Sequence, residues 1–209
     1  MKFKNLNPGI SLCMIVKNEE RSLSRCIKSV KSLVDQIIIV DTGSTDNTIN
    51  IAKNLGAEVF NFKWCDDFSA ARNESIKYAK YQWVLILDAD EIIDEYSTSE
   101  IKKIIKNNKP PVAFEFRVLS DTGSQNPNES RVIRMFSNGF GILFKNRVHE
   151  QITSSIKEIS AQVLRTNSKI IHDGYNQEYV DQNEKQERNI SLLKQMIKEE
   201  PDFYYWPYN

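Results

Sequence analysis

The sequence predicts an α/β domain of the Rossmann-like kind: a mainly parallel sheet flanked by helices, with antiparallel additions in the second half. Three observations carry this. In the first ninety residues, short apolar runs alternate four times with segments of helical period. The run Trp83-Val84-Leu85-Ile86-Leu87 has no polar alternation, which suits a strand covered on both faces. Finally, the apolar runs stop on polar or acidic residues: Asn18 and Glu19 after the first, Asp41 after the second, and Asp88-Ala89-Asp90-Glu91 after the fourth. Parallel strands place all of these on one rim, the carboxyl edge at which open α/β sheets bind ligands.

The elements follow in order. Ile10 to Val16 is a buried strand. Leu23, Cys26, Ile27, Val30, Leu33 and Val34 then recur at the spacing of one helical face. Ile37-Ile38-Ile39-Val40 is a β-branched strand, and Thr42 to Thr48 is a turn rich in N-cap residues. It leads into a helix carried by Ile49, Ala52 and Leu55 and closed by Gly56. Glu58-Val59-Phe60 is a short third strand, Trp64 to Ser69 a loop, and Ala70 to Lys80 a helix. After the fourth strand, Ser97-Thr98-Ser99-Glu100 reads as a capping box opening a helix, which Pro110-Pro111 ends. Val112 to Val118 and Arg131 to Phe136 read as strands, the latter entering a turn at Ser137-Asn138-Gly139. Between them, Ser120 to Ser130 is a polar loop expected to cover a site or to hang in water. Asp181 to Glu200 is a charged helix with Ile190, Leu193 and Ile197 on one face, followed by the aromatic stretch Phe203 to Tyr208. The expected organisation is a domain over 1–178, with halves at about 10–94 and 95–178, and a helix with aromatic tail over 179–209.

Bulk properties narrow the function. The 209 residues carry 28 basic and 28 acidic side chains, so there is no electrostatic case for nucleic acid or an anionic membrane as main partner. No stretch has the length and apolarity of a spanning helix, and Met1 to Asn5 lacks the apolar core of a signal peptide. The expectation is a soluble, cytoplasmic protein. Cys13, Cys26 and Cys65 have no metal-ligand spacing; Cys13 and Cys26 fall within apolar patterns and read as buried thiols. Two aspartates one residue apart at a rigid strand end can hold a hard divalent cation that shares substrate phosphates, although a solvated acidic turn has the same sequence.

Four motifs in order resolve that ambiguity. They are Lys17-Asn18-Glu19-Glu20 after the first strand, Val40-Asp41-Thr42-Gly43-Ser44-Thr45-Asp46-Asn47-Thr48, Asp67-Phe68-Ser69-Ala70-Ala71-Arg72-Asn73, and Asp88-Ala89-Asp90. With them, Ile10 to Asp94 resembles the nucleotide-sugar half of family-2 glycosyltransferases of the GT-A fold, and the match continues through Arg131–Glu150 to His172. Within the family the chain is most similar to a bacterial subgroup that includes bacteriocin peptide S-glycosyltransferases, in which tetratricopeptide-like helices follow this domain.

The resemblance implies a metal-dependent inverting transferase moving a sugar from a nucleotide-diphosphate sugar, such as a UDP-sugar, to a peptide, glycan or other small nucleophile. Mn2+ or Mg2+ is the implied cofactor. Val16, Asn18, Glu19, Asp41, Arg72, Asp88, Ala89 and His149 are the implied nucleotide-sugar-binding residues. Asp90 and His172 are the implied metal ligands. Glu150 is the candidate general base and Glu91 its rival, with a supporting role beside the metal pair open to it. Each has a plainer alternative: an ion pair with Asp66 or Asp67 for Arg72, a helix-capping role for Glu19, a surface position for Glu150, and a structural role for His149. For His172 it is a strand end capped by Asp173. Two other functions are weighed against this one. Nucleotidyl transfer needs a Gly-rich basic loop after the first strand, where this chain has Lys17-Asn18-Glu19-Glu20. Intact Asp88, Asp90 and Arg72 argue against the other alternative, a nucleotide-sugar-binding relative without turnover, which keeps its place as the second reading. The donor's base and sugar, the acceptor and the oligomeric state stay open.

Overall fold

The computed structural model describes residues 6–120, 128–172 and 182–199. Its chain order is β1 (Asn7–Val16), α1 (Leu23–Val30), β2 (Gln36–Asp41), α2 (Thr48–Asn54), β3 (Glu58–Asn61), α3 (Phe68–Lys77) and β4 (Tyr81–Ile86). Then come β5 (Glu91–Ile93), α4 (Glu95–Asn107), β6 (Val112–Ser120), β7 (Asn128–Ser137), α5 (Thr153–Glu158), β8 (Gln162–His172) and α6 (Gln182–Glu199). The strands form one eight-stranded sheet in the order β3-β2-β1-β4-β7-β6-β8-β5. The first four are mutually parallel, β7 joins β4 antiparallel, and β6–β7 is an antiparallel pair, as the change of sequence character at residue 95 predicts. One pairing departs from that expectation: β8 runs parallel to β6.

Both faces of the parallel half are buried, which is why its strands read as unbroken apolar runs. Leu12, Met14, Ile37, Ile39 and Leu85 face one core with Leu23, Cys26, Ile27 and Val30 of α1 and Ile101 of α4. Cys13, Ile38, Val84 and Ile86 face the other with Ile76 and Ala79, and with Ile152 and Ile156 near α5. The thiols of Cys13 and Cys26 are fully buried, and burial pushes Cys13 up to about 12. Close packing also fixes Gly9, where an added Cβ would lie 2.3 Å from the Asp35 carboxylate.

Several boundaries differ from the sequence expectation. α3 begins at Phe68, because Asp67 is its N-cap and accepts from the Ala70 amide at 2.9 Å. α4 is capped by Asp94, whose carboxylate accepts from Ser97 N at 2.7 Å. The expected capping-box residues serve the sheet instead: Ser97 Oγ accepts from Lys169 N, and Glu100 accepts from Asn167 N and Ser168 Oγ. Strands β6 and β7 extend into the stretch expected to be a loop, taking in Ser120 and Asn128–Ser130; residues 121–127 lie outside the described residues. On α6 the buried residues are Leu192 and Met196, while Ile190 and Ile197 are 50% and 61% exposed, so the buried face is not the expected one. Asp173 and the aromatic stretch Phe203 to Tyr208 lie outside the described residues. Among the described residues, no helix is long and apolar enough to cross a membrane.

Candidate functional site

The carboxyl ends of β1, β2 and β4 carry two walls of different construction. The first joins the loop after β1 to the loop after β2. Asp41, at the last position of β2 and in register with Val16, is 4% exposed. Its carboxylate accepts from Gly43 N at 3.0 Å and Ser44 N at 3.1 Å, so it folds the following turn onto itself. Val16 is buried in the core, and its carbonyl accepts from Thr42 N. Asn18 sits at φ 58, and its amide oxygen accepts from Thr45 N at 2.7 Å while its own N–H donates to Ser44 Oγ. Glu19 N donates to Thr48 Oγ1, and Glu20 and the Asp46–Asn47 turn exchange bonds in both directions. The Glu19 carboxylate accepts from Ser22 Oγ at 2.6 Å; burial pushes its pKa up, and that hydrogen bond opposes the shift. Asn18, Glu19 and Asp41 thus meet at one wall, as expected.

The second wall is ionic. Arg72, on α3, is 7% exposed and lies across the rim, donating from Nε to Glu150 Oε1 at 2.6 Å and from Nη2 to Asp88 Oδ1 at 2.8 Å. It does not pair with Asp66 or Asp67: Asp66 accepts from Trp64 Nε1, and Asp67 caps α3. Arg134 of β7 reaches the same aspartate from the other side, donating to Asp88 Oδ2 at 3.3 Å and also to Glu91 Oε1. Glu91 has both oxygens engaged, since Oε2 accepts from Asp88 N at 2.9 Å, and its side chain is 2% exposed. Glu150 keeps 15% of its side chain exposed and Asp88 keeps 37%.

The electrostatics follow from this packing. Burial works against ionisation of Asp88, but the charges of Arg72 and Arg134 outweigh it and hold its carboxyl well below the usual range. For Glu91 the balance reverses: burial dominates, the Arg134 charge only partly offsets it, and the pKa rises to about 7.

Asp90 and Ala89 complete the β4 end. Ala89 is buried in the core. Asp90 Oδ2 lies 2.9 Å from Nε2 of His172, brought there by the antiparallel pairing of Glu91 with His172. That hydrogen bond raises the His172 pKa against partial burial. His149 is exposed, at φ 54, next to Glu150. Among the described residues no group of three or more His, Cys, Asp or Glu side chains converges on a metal cage. One carboxylate and one imidazole in contact do suit a cation that takes its remaining ligands from a diphosphate and water, so the residues fit Mn2+ or Mg2+.

Three contributors are invisible in the sequence. Arg134 lies in a strand that the sequence reads only as entering a turn, with nothing local to mark its partners. Asn73 and Ser69 belong to a quoted motif but bond to the backbone of residues 144 and 146, which no local pattern signals. At the opposite end of the strands a polar groove of about 190 Å³ lies between Lys31, Asp35, Glu58 and Lys80. Its cations are engaged, Lys80 with Glu58 at 2.8 Å and Lys31 with the Leu55 carbonyl at 2.8 Å.

A half-parallel sheet of this order, with charged side chains gathered beyond the carboxyl ends of β1, β2 and β4, defines a ligand-binding α/β domain. Its fold is GT-A. It superposes on TarS of S. aureus in complex with UDP with TM-score 0.63 at 15% identity, over 91% of this chain and 72% of that one. The glucosyl-3-phosphoglycerate synthase of Mycobacterium tuberculosis in complex with Mn2+, UDP and glucosyl-3-phosphoglycerate gives TM-score 0.61 at 15% identity, over 91% and 79%. Residues 11–174 match the model of glycosyl transferase family 2, and the chain belongs to that family. It is related to the SPbeta prophage-derived glycosyltransferase SunS of Bacillus subtilis, at 31% identity over 97% of this chain and 48% of that protein. It is also 36% identical to a TPR repeat-containing protein of Synechococcus elongatus, over 94% of this chain and 50% of that protein. The chain therefore spans about half the length of these curated relatives.

Proposed function

We propose that this chain is a metal-dependent, inverting glycosyltransferase that takes a sugar from a UDP-sugar or related nucleotide-diphosphate sugar. The observation that carries the reading is the meeting of Asp88, Asp90, Arg72, Glu150 and His172 at one strand-end rim of a family-2 chain. The UDP and Mn2+ held by structures of the same fold support the choice of donor and cation.

The roles follow from the geometry. The wall of Val16, Asn18, Glu19 and Asp41 gives the nucleotide a stiff surface of backbone and short polar groups. Asp90 and His172 would hold the cation, with Asp88-Ala89-Asp90 as the acidic motif. When bound, that Mn2+ or Mg2+ ion supplies Lewis-acid stabilisation to the diphosphate. Asp88 orders Arg72 and Arg134 beside the ribose side of the donor, and His149 lines the donor side of the Glu150 loop.

Glu150 is the general base. Arg72 occupies only its Oε1, and the other oxygen takes the acceptor's proton. The nucleophile bonds to the anomeric carbon as the carbon–oxygen bond to the diphosphate breaks on the far side, and the electron pair leaves with the nucleotide. Glu91, with both oxygens engaged, supports Asp88 and Arg134. The resemblance to the peptide-modifying subgroup favours a cysteine or serine of a peptide as acceptor, and a cytoplasmic setting fits a soluble UDP-sugar donor.

The test is UDP release from UDP-glucose and UDP-N-acetylglucosamine with Mn2+, with the product's anomeric configuration read by NMR before mutarotation. Inversion is expected. Retention of configuration would overturn the mechanism.

A further inference from the structure

We propose that Asn73 is a positioning residue for Glu150: with Ser69 it makes α3 the template on which the loop carrying the base is folded. The inference rests on the reading of Glu150 as base. The Asn73 amide makes a reciprocal pair with one distant residue, donating from Nδ2 to the Phe144 carbonyl at 2.9 Å and accepting from Phe144 N at 2.8 Å. Ser69 Oγ donates to the Asn146 carbonyl at 2.5 Å, and Phe68 N to the Arg147 carbonyl at 2.9 Å. Ascending α3 through residues 68, 69 and 73, the partners descend through 147, 146 and 144, so helix and loop dock antiparallel along their length.

The loop needs such a template. Asn146 and His149 both hold left-handed φ values, 77 and 54, which non-glycine residues adopt at a cost. Among the described residues, its one β-bridge joins Lys145 to Gln151. Arg72 connects the template to the chemistry. Its guanidinium carbon lies 5.6 Å from the centroid of the Phe144 ring while Nε bonds Glu150. Asn73 therefore fixes the backbone of Phe144, the Phe144 ring supports Arg72, and Arg72 aims Glu150. Asparagine suits the first step because one planar amide offers a donor and an acceptor side by side. Aspartate keeps only the acceptor and sets a charge against the Phe144 carbonyl.

The experiment compares Asn73→Ala, Asn73→Asp and Glu150→Gln with the unaltered chain. It measures amide exchange across residues 142–151, UDP affinity with Mn2+, and kcat and KM for UDP release from UDP-glucose with water as acceptor. Asn73→Ala should raise exchange at Phe144 to Glu150 and lower kcat on the order of 10²-fold, with KM and UDP affinity changing far less. Asn73→Asp should raise exchange and lower kcat at least as far, because it sets a charge against the Phe144 carbonyl, and the exchange measured on whichever variant folds decides the matter. Unchanged exchange across the loop in the Asn73 variants would overturn the proposal, as would a loss of UDP affinity in step with kcat. Undiminished turnover in Glu150→Gln would overturn the base reading alone, and the exchange result would then decide whether Asn73 holds the loop.

Discussion

The two walls of the rim are built on opposite principles. On the Asn18–Asp41 side, side chains spend themselves on backbone amides of neighbouring turns, across separations of 26 to 29 residues between the two loops. On the Arg72–Asp88 side, charge meets charge, and the partners lie up to 78 residues apart. The first wall is stiff before any ligand arrives. The second is an ionic cluster in which two arginines answer three carboxylates, so a cation or anion bound there would shift its balance. On the proposed reading, a rigid receptor for the nucleotide faces an adjustable one for the diphosphate and the acceptor, and substitutions should separate the two.

The largest effect is expected at the Asp90–His172 pair beside the ionic wall. Asp90→Ala should lower sugar transfer by on the order of 10²- to 10³-fold and abolish the effect of Mn2+ on the rate; an unaltered metal response would break the comparison. Next comes Arg134→Ala. It removes the counter-charge of the buried Glu91 and should destabilise the fold by roughly 3–5 kcal/mol in urea unfolding, against no change if the wall were merely decorative.

A pH profile sharpens the same contrast. In metal-free protein the raised pKa of Glu91, about 7 against 4.5 when unfolded, contributes stability that is complete below pH 4.5 and lost as pH rises through 7. The depressed pKa of Asp88 acts in the other direction, its contribution being lost as pH falls below 3.8. Glu91→Gln should flatten the decline between pH 4.5 and 7 and leave the acid limb in place. Smallest is Asn18→Ala, which should cost about 1 kcal/mol by removing the bond to Thr45, with little change in the metal dependence of the rate.

The parallel half was legible because burial on both faces leaves apolar runs, and because its loops satisfy themselves with nearby Asn, Asp, Ser and Thr. Asp41, Asp88 and Asp90 stand where a strand end demands them. β8 was not legible. Its buried positions include Thr166 and Ser168, whose hydroxyls bond the Glu115 carbonyl and Glu100, so its inward face reads as polar. α5 is six residues long, too short for a period to register, and β5 has three. The capping box at Ser97–Glu100 misled for a related reason: serine and glutamate answer the amides of a strand edge as well as those of a helix end. Arg134 and Asn73 were missed because their partners are set by sheet order and helix docking, which exist only after folding. His172 reaches Asp90 across 82 residues through the pairing of β5 with β8, a register the sequence does not announce.

Calorimetric titration of the 209-residue chain with UDP, in Mn2+ and again in EDTA, tests the rim most directly. Saturable one-to-one binding that weakens sharply when the cation is removed is the predicted result. Heat of equal size and affinity in both buffers, or none in either, would contradict a nucleotide-diphosphate site built on Asp90 and His172.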